Sequence, residues 1–223
     1  MPAHAKILIF CPTARLEPET VNAIFNQTGV QFRDTLFTFD NPYPFVKMEA
    51  LKNIEYNYEK MRRIALAEGY EKVWIVESDI IPPHDALAKL LEVKAPVVGG
   101  MYALRHGAYP PNFFKNSPSL VTDELMKWPE IFASKKPIIE TSGVCMGCLL
   151  VDRSVLEEIP FTLPRTDYHA PDIPMMQYCC AHGIKQIGRI DVSCGHKKPS
   201  GEIIYPDAIS KTGVRVEMGR IAV

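Results

Sequence analysis

Neither Gly-x-Gly-x-x-Gly nor a P-loop occurs in the 223 residues, so a dinucleotide-binding or ATPase reading lacks its main support. Gly99-Gly100 is no substitute. Net charge is also scarce: 25 basic and 26 acidic side chains leave a formal charge of -1. No global field therefore recruits nucleic acid or an acidic membrane surface, and an anionic ligand has to meet local positive charge. No apolar run reaches the length of a membrane span. The apolar stretch Lys6-Ile-Leu-Ile-Phe10 is strand-length and begins too early to leave room for a signal peptide. Internal repeats and low-complexity segments are absent. Cysteine is present but dispersed, at 11, 145, 148, 179, 180 and 194, in a chain too long to need disulfide staples. Buried thiols in a reducing compartment follow, and the expectation is a cytoplasmic protein with no transmembrane segment and no nucleic-acid partner.

A chain of this length buries one substantial core and fits a single α/β domain. Its first half alternates strand and helix signals: strands over 6–10 and 31–39, helices over 18–28 and 48–68, and a strand over 73–76. Pro82-Pro83 sets up a helix over 85–93, and 96–102 reads as the next strand. This rhythm predicts a mostly parallel sheet flanked by helices. Residues 105–136 are rich in proline, aromatic and polar residues and lack sustained periodicity, which marks an excursion from the sheet that serves function. Strand signals resume at 137–140 and 144–151 around the turn Thr141-Ser142-Gly143, with a short helix over 153–158. A last helix over 171–182 stops at Gly183, and short strands lead to Cys194-Gly195-His196. Residues 197–223 show no clear pattern.

The strand Lys72-Val-Trp-Ile-Val76 runs straight into Glu77-Ser78-Asp79. Acids two apart on a strand share a face, and a hard cation bridging phosphate oxygens needs one or two carboxylates plus room for water. The same acids can also be helix caps or solvated strand-end groups. His196 offers a late imidazole, a ligand that manganese accepts beside carboxylate. Lys197 and Lys198 either neutralise a diphosphate or are ordinary surface lysines. Asp172 opens the last helix as an N-cap or as a general base within reach of a hydroxyl, with Asp167 its nearest rival. Cys145-Met-Gly-Cys148, with the later cysteines and His196, raises a structural zinc site. Positions three apart on a strand point to opposite faces, however, and one such pair without a second is weak evidence. For phosphate, the loop Cys11-Pro-Thr-Ala-Arg15 and the basic stripe Lys60, Arg62 and Arg63 remain, the stripe reading equally as a solvated helix face.

Taken in order, these parts resemble a glycosyltransferase of the GT-A fold, closest in pattern to the family-two-like enzymes, over residues 6–196. The resemblance implies a Rossmann-like sheet with a nucleotide-sugar half over about 1–103 and an acceptor half over about 104–196. The tail, 197–223, would then close over the donor site. It implies that Asp79 coordinates manganese or magnesium at the donor diphosphate, with Glu77 on the ribose or metal, Ser78 between them, and His196 as the late ligand. Pro12, Thr13, Ala14 and Arg15 would contact the nucleotide, Asp40 the base, and Lys60 or Arg63 would approach it from the helix. Tyr102 and Arg105, with Ser142 and Gly143 on the glycine-led strand, would shape the acceptor pocket, and Asp172 would be the base of an inverting reaction. Two positions depart from the family pattern: Glu77 stands where aspartate is commoner, and Ala170-Pro171 where a glutamate usually precedes the catalytic aspartate. The expected function is metal-dependent transfer of a sugar from a UDP- or GDP-linked donor to a hydroxyl acceptor. A nucleotidyltransferase, a non-catalytic nucleotide-sugar binding module and a purely structural domain are the alternatives.

Overall fold

Apolar β-branched and aromatic runs set the strands, while prolines and glycines set where helices begin and end. The computed structural model describes residues 5–13, 15, 17–31, 33–44, 47–116, 124–159, 161 and 171–219. Strand β1 (Ile7–Pro12) leads to helix α1 (Pro18–Phe25), where proline at the first position loses no helical hydrogen bond. Strand β2 (Arg33–Thr38) precedes the long α2 (Lys47–Ala67), which stops just before Gly69 at a φ of 74°. Then come β3 (Lys72–Val76), β4 (Ile80–Ile81), α3 (Ala86–Leu91), β5 (Val97–Met101), β6 (Phe113–Phe114) and α4 (Trp128–Phe132). The second half holds β7 (Ile138–Thr141), β8 (Gly143–Val144), β9 (Cys148–Asp152), α5 (Arg153–Glu158), α6 (Asp172–Ala181) and β10 (Gln186–Ser193). It ends with β11 (Gly195–Lys197), β12 (Glu202–Pro206) and β13 (Val214–Met218).

Seven strands form the central sheet in the order β2-β1-β3-β9-β5-β10-β7. Strands β2, β1, β3, β5 and β10 run one way, and β9 and β7 the other, so the sheet is mixed. Both faces are covered. Leu8, Phe10, Val73 and Ile75 pack on one side with Tyr58 and Met61 of α2. Ile7, Ile9, Trp74 and Val76 pack on the other with Ile24 and Leu87. Burial on both faces explains why β1 and β3 read as continuous apolar runs with no alternation.

The single strand expected over 144–151 is broken at Cys145-Met146-Gly147, between β8 and β9. A Cβ on Gly147 would lie 2.7 Å from the Tyr102 ring, and its backbone is claimed on both sides, donating to Tyr102 Oη at 3.0 Å and accepting from Glu77 N at 3.0 Å. These contacts turn the chain toward β3 at the point where Glu77 leaves the sheet.

The tail, expected to lack a clear pattern, is structured. Strands β12 and β13 pair antiparallel and extend a second sheet, β13-β12-β11-β4. In it His196 lies opposite Ile80, one residue beyond Asp79. Lys197 and Lys198 are not ordinary surface lysines. Lys197 Nζ sits 2.9 Å from Glu17 and 2.7 Å from Glu19 in a buried cluster, and Lys198 pairs with Glu202 at 3.0 Å. Among the described residues no helix is long and apolar enough to cross a membrane.

Removing one partner of a buried ion cluster leaves an uncompensated charge, so Lys197→Met should cost about 3–5 kcal/mol of stability by urea unfolding at pH 7. Burial pulls the Glu19 carboxyl upward, but the Lys197 hydrogen bond, a backbone N–H and the Lys197 charge outweigh it and hold it below its ordinary value. A carboxyl depressed in the folded state stabilises above its unfolded pKa, and that contribution is lost as pH falls through its folded one. The gap between wild type and Lys197→Met should therefore narrow below the ordinary carboxylate range. A gap independent of pH would overturn this account of the cluster.

Candidate functional site

The C-terminal end of β3 carries Glu77 out of the sheet into a turn closed by Ile80 N donating to Glu77 O at 2.9 Å. Strand β4 then pairs with β11, and Lys197 N donates to Asp79 O at 2.8 Å, which brings His196 against Asp79. His196 is buried, and its Nδ1 lies 2.7 Å from Ala103 O. A carbonyl can only accept, so Nδ1 carries the proton and the Nε2 lone pair is left facing Asp79 Oδ1 at 3.8 Å. Burial lowers the imidazole pKa, against the opposing pull of Asp79 and the Ala103 carbonyl, which keeps the ring neutral and able to ligate. The other carboxylate oxygen, Oδ2, is 2.7 Å from Arg105 Nη1, which also donates to Lys197 O at 3.2 Å. The Tyr102 ring meets His196 edge-on with centroids 5.4 Å apart.

A separation of 3.8 Å is too long for a hydrogen bond. It does suit two ligands of one cation, since bonds of about 2.1 Å leave a pair of ligands roughly 3 to 4 Å apart. Glu77 does not complete a trio. It is half-buried in the turn and accepts a bond from Tyr58 Oη at 3.1 Å. Burial, then the charges of Asp79 and Asp172, push its carboxyl up to about 8, so it carries a proton at neutral pH. Among the described residues no three His, Cys, Asp or Glu side chains converge as a metal-binding group. A cation here would rest on Asp79 and His196, with its other positions left to phosphate oxygens and water, and the imidazole suits manganese better than magnesium.

Asp172 opens α6, and its Oδ1 accepts from Ile173 N at 3.0 Å. The Cys145 thiol hydrogen-bonds the same carboxylate, and the Tyr102 hydroxyl bonds that thiol. Asp172 thus joins Glu77, Asp79 and Tyr102 as one electrostatically coupled group, although it comes from the far end of the chain. Tyr58, Cys145 and the Ala103 carbonyl are the members that sequence reasoning missed. Tyr58 sits on the apolar face of a long helix, where nothing local distinguishes it from core, and Cys145 stands out in the sequence only as half of a zinc-type pair.

The other expected positions divide into two groups. Pro12 ends β1, and Thr13 ties β1 to β2 through its N–H to Thr38 O at 2.9 Å. Arg15 is ion-paired with Glu17, and Asp40 with Lys60. Arg63 pairs with Glu59 at 3.1 Å, and Arg62 caps the carbonyls of Leu156 and Glu157 on α5. Lys60 and Arg63, with Tyr43, Lys52, Tyr56 and Ile64, line a cavity of about 500 Å³ along α2 that Asp79 and His196 do not line. Ser142 bonds the Lys115 carbonyl at 2.9 Å, and Gly143 packs under Met176 and Phe114, so both hold β8 in place. Ser78 is half-buried in the turn. Ala14 and Asp167 lie outside the described residues.

The cysteines do not form a zinc site. Cys145 turns to Asp172, while Cys148 bonds the Cys194 thiol, which holds Cys148 below the ordinary thiol value. All six cysteines are free, and all but Cys180 are buried.

No family model and no curated protein matches the chain. Among solved structures, the fold is similar to that of A197 from STIV, with a TM-score of 0.62 and 13% sequence identity. The match covers 98% of this chain and 96% of that one. At that identity the likeness is one of fold.

Burial keeps a thiol protonated and out of reach, and it pushes Cys11 up to about 12. A maleimide at pH 8 should therefore label native protein at no more than one position, Cys180, and label all six cysteines in urea. Rapid native labelling at two or more positions, read by intact mass, would contradict this packing.

Proposed function

We propose that the chain is a metal-dependent glycosyltransferase of the GT-A type, taking a UDP- or GDP-linked sugar as donor and a hydroxyl-bearing molecule as acceptor. The observation that carries the reading is the pair Asp79 Oδ1 and His196 Nε2, 3.8 Å apart, with the imidazole tautomer fixed by Ala103. A buried neutral histidine facing a carboxylate at the end of a central strand fits a cation shared with a diphosphate. Ligand sites of open α/β sheets lie at such strand ends. Manganese or magnesium, when bound, would supply Lewis-acid stabilisation of charge on the departing diphosphate.

The chain's own residues supply the rest. Asp79 and His196 would hold the cation at the end of β3 and, through it, the charged end of the donor. Glu77, held by the Tyr58 hydroxyl, can hydrogen-bond a donor hydroxyl. Asp172, oriented by Ile173 N–H and the Cys145 thiol, accepts the acceptor's proton as it attacks the anomeric carbon, which makes the reaction inverting. The described part of the excursion forms much of a second cavity, which Asp79, His196 and Asp172 do not line and which we assign to the body of the acceptor. Pro110, Met126, Trp128 and Phe132 line this cavity of about 450 Å³ with Lys127 and, from the β12–β13 loop, Lys211. Trp128 and Phe132 stack on each other at 5.4 Å with planes 12° apart and form its aromatic wall.

A nucleotide-sugar binding module without turnover is the second reading. It is favoured by the ion pair from Arg105, which occupies one oxygen of Asp79.

Donor hydrolysis and transfer, measured with a panel of UDP- and GDP-sugars, should require manganese or magnesium and stop on chelation. Asp79→Ala should reduce the rate by about 100-fold or more, since a Lewis acid contributes several kcal/mol. Asp172→Asn should cost about 10²–10⁴-fold, the usual contribution of a general base. Full activity in Asp79→Ala would sink the cation assignment, and a product retaining the donor's anomeric configuration would sink the assignment of Asp172. Donor binding by calorimetry without hydrolysis or transfer would favour the binding module.

A further inference from the structure

The two oxygens of Asp79 face different partners. Oδ1 faces the His196 lone pair, and Oδ2 is held by Arg105 at 2.7 Å. Arg105 reaches the site from a loop outside the sheet and, among the described residues, is also anchored on the Lys197 carbonyl at 3.2 Å. The loop turns tightly, with Gly107 at a φ of 57° and Tyr109 at 54°, and is closed by Leu104 N donating to Pro110 O at 2.8 Å. The Arg105 side chain is 37% exposed, against 8% for His196. The ligand pair is therefore built into the fold, while the guanidinium lies at its open edge and is free to exchange partners.

We propose that Arg105 neutralises Asp79 at Oδ2, beside the place of the cation, while the donor is absent and exchanges Asp79 for the donor diphosphate when nucleotide and metal arrive. This regulation of the site rests on the functional reading given above. A divalent cation bound at Oδ1 and Nε2 would lie within a few ångströms of the guanidinium, and like charges so close in a partly desolvated pocket repel strongly. Metal alone therefore binds poorly. A diphosphate removes the conflict, because guanidinium groups pair with phosphate oxygens through short, charge-assisted and often bidentate bonds. With Arg105 drawn to the phosphate, both oxygens of Asp79 are open to the metal. The site thus requires two joined phosphates: one to share the metal and one to hold Arg105. Cation and nucleoside diphosphate bind together, and neither a bare cation nor a nucleoside monophosphate is retained as well.

The test follows manganese binding in the full-length protein by the electron paramagnetic resonance of the free ion, without donor, with UMP, and with UDP or GDP. Wild type should bind manganese alone at least tenfold more weakly than Arg105→Met or Arg105→Gln. Arg105→Lys, which keeps the charge, should stay within about threefold of wild type. UDP or GDP should tighten manganese binding in wild type at least tenfold and in Arg105→Met much less, and UMP should do neither. Thermal unfolding confirms that each variant is folded, and two charge-removing variants guard against a local defect in one. If both bind manganese alone no more tightly than wild type, while a diphosphate still recruits manganese to wild type and not to Asp79→Asn, the cation site stands and the proposal for Arg105 fails. If no variant binds manganese under any of these conditions, the functional reading fails and this proposal with it.

Discussion

Lys197 joins the parts of the candidate site. Its N–H holds the Asp79 carbonyl, its own carbonyl receives Arg105, and its ammonium reaches Glu17 and Glu19 near the start of α1. One residue thereby ties the end of β3, the excursion that carries Arg105 and the segment after β1. It also sets the position of His196 beside it. Buried ion clusters add little net stability over apolar packing. The value of this one lies in register: a slip of β11 against β4 would turn the imidazole to the opposite face of the sheet.

Around that frame the charges are arranged so that few are left bare. Three carboxyl groups, Glu77, Asp79 and Asp172, act on one another in a largely dry region. Glu77 answers by keeping its proton, Asp79 by facing Arg105 and His196, and Asp172 by accepting bonds from a backbone N–H and a thiol. Burial raises the Tyr58 and Tyr102 hydroxyls well above their ordinary values, so both remain donors beside these acids. These acids are thus held among neutral donors and one guanidinium.

Much of the element pattern was legible locally. The helix over 153–158 is observed as Arg153–Glu158, and the long helix over 48–68 as Lys47–Ala67, because amphipathic period and terminal glycine are properties of the segment itself. The strand leading to Glu77-Ser78-Asp79 was legible for the same reason. The break at Gly147 was not, because it comes from the approach of Tyr102 and Glu77, which are distant in sequence. Strands β12 and β13 are only five residues each, yet β13 alternates Val214, Val216 and Met218 with Arg215 and Glu217, a local strand signal that was there to be read. The reversal of β9 between β3 and β5, by contrast, depends on how a chain returns across a sheet, and no residue records it.

The sequence by itself determined the inventory: a strand ending in two acids, a late histidine, a helix-opening aspartate, and no glycine loop for phosphate. These are facts of residue type and local order, which short-range sterics and burial preference express without outside help. Only the tertiary structure decided who faces whom. It placed the lone pair of His196 toward Asp79, sent Arg105 to that carboxylate, and drew Lys197 and Lys198 into ion pairs. It gave Glu77 a proton through burial and neighbouring charge. Partner choice and protonation depend on distances between elements far apart in the chain, and those distances are set by sheet order and register.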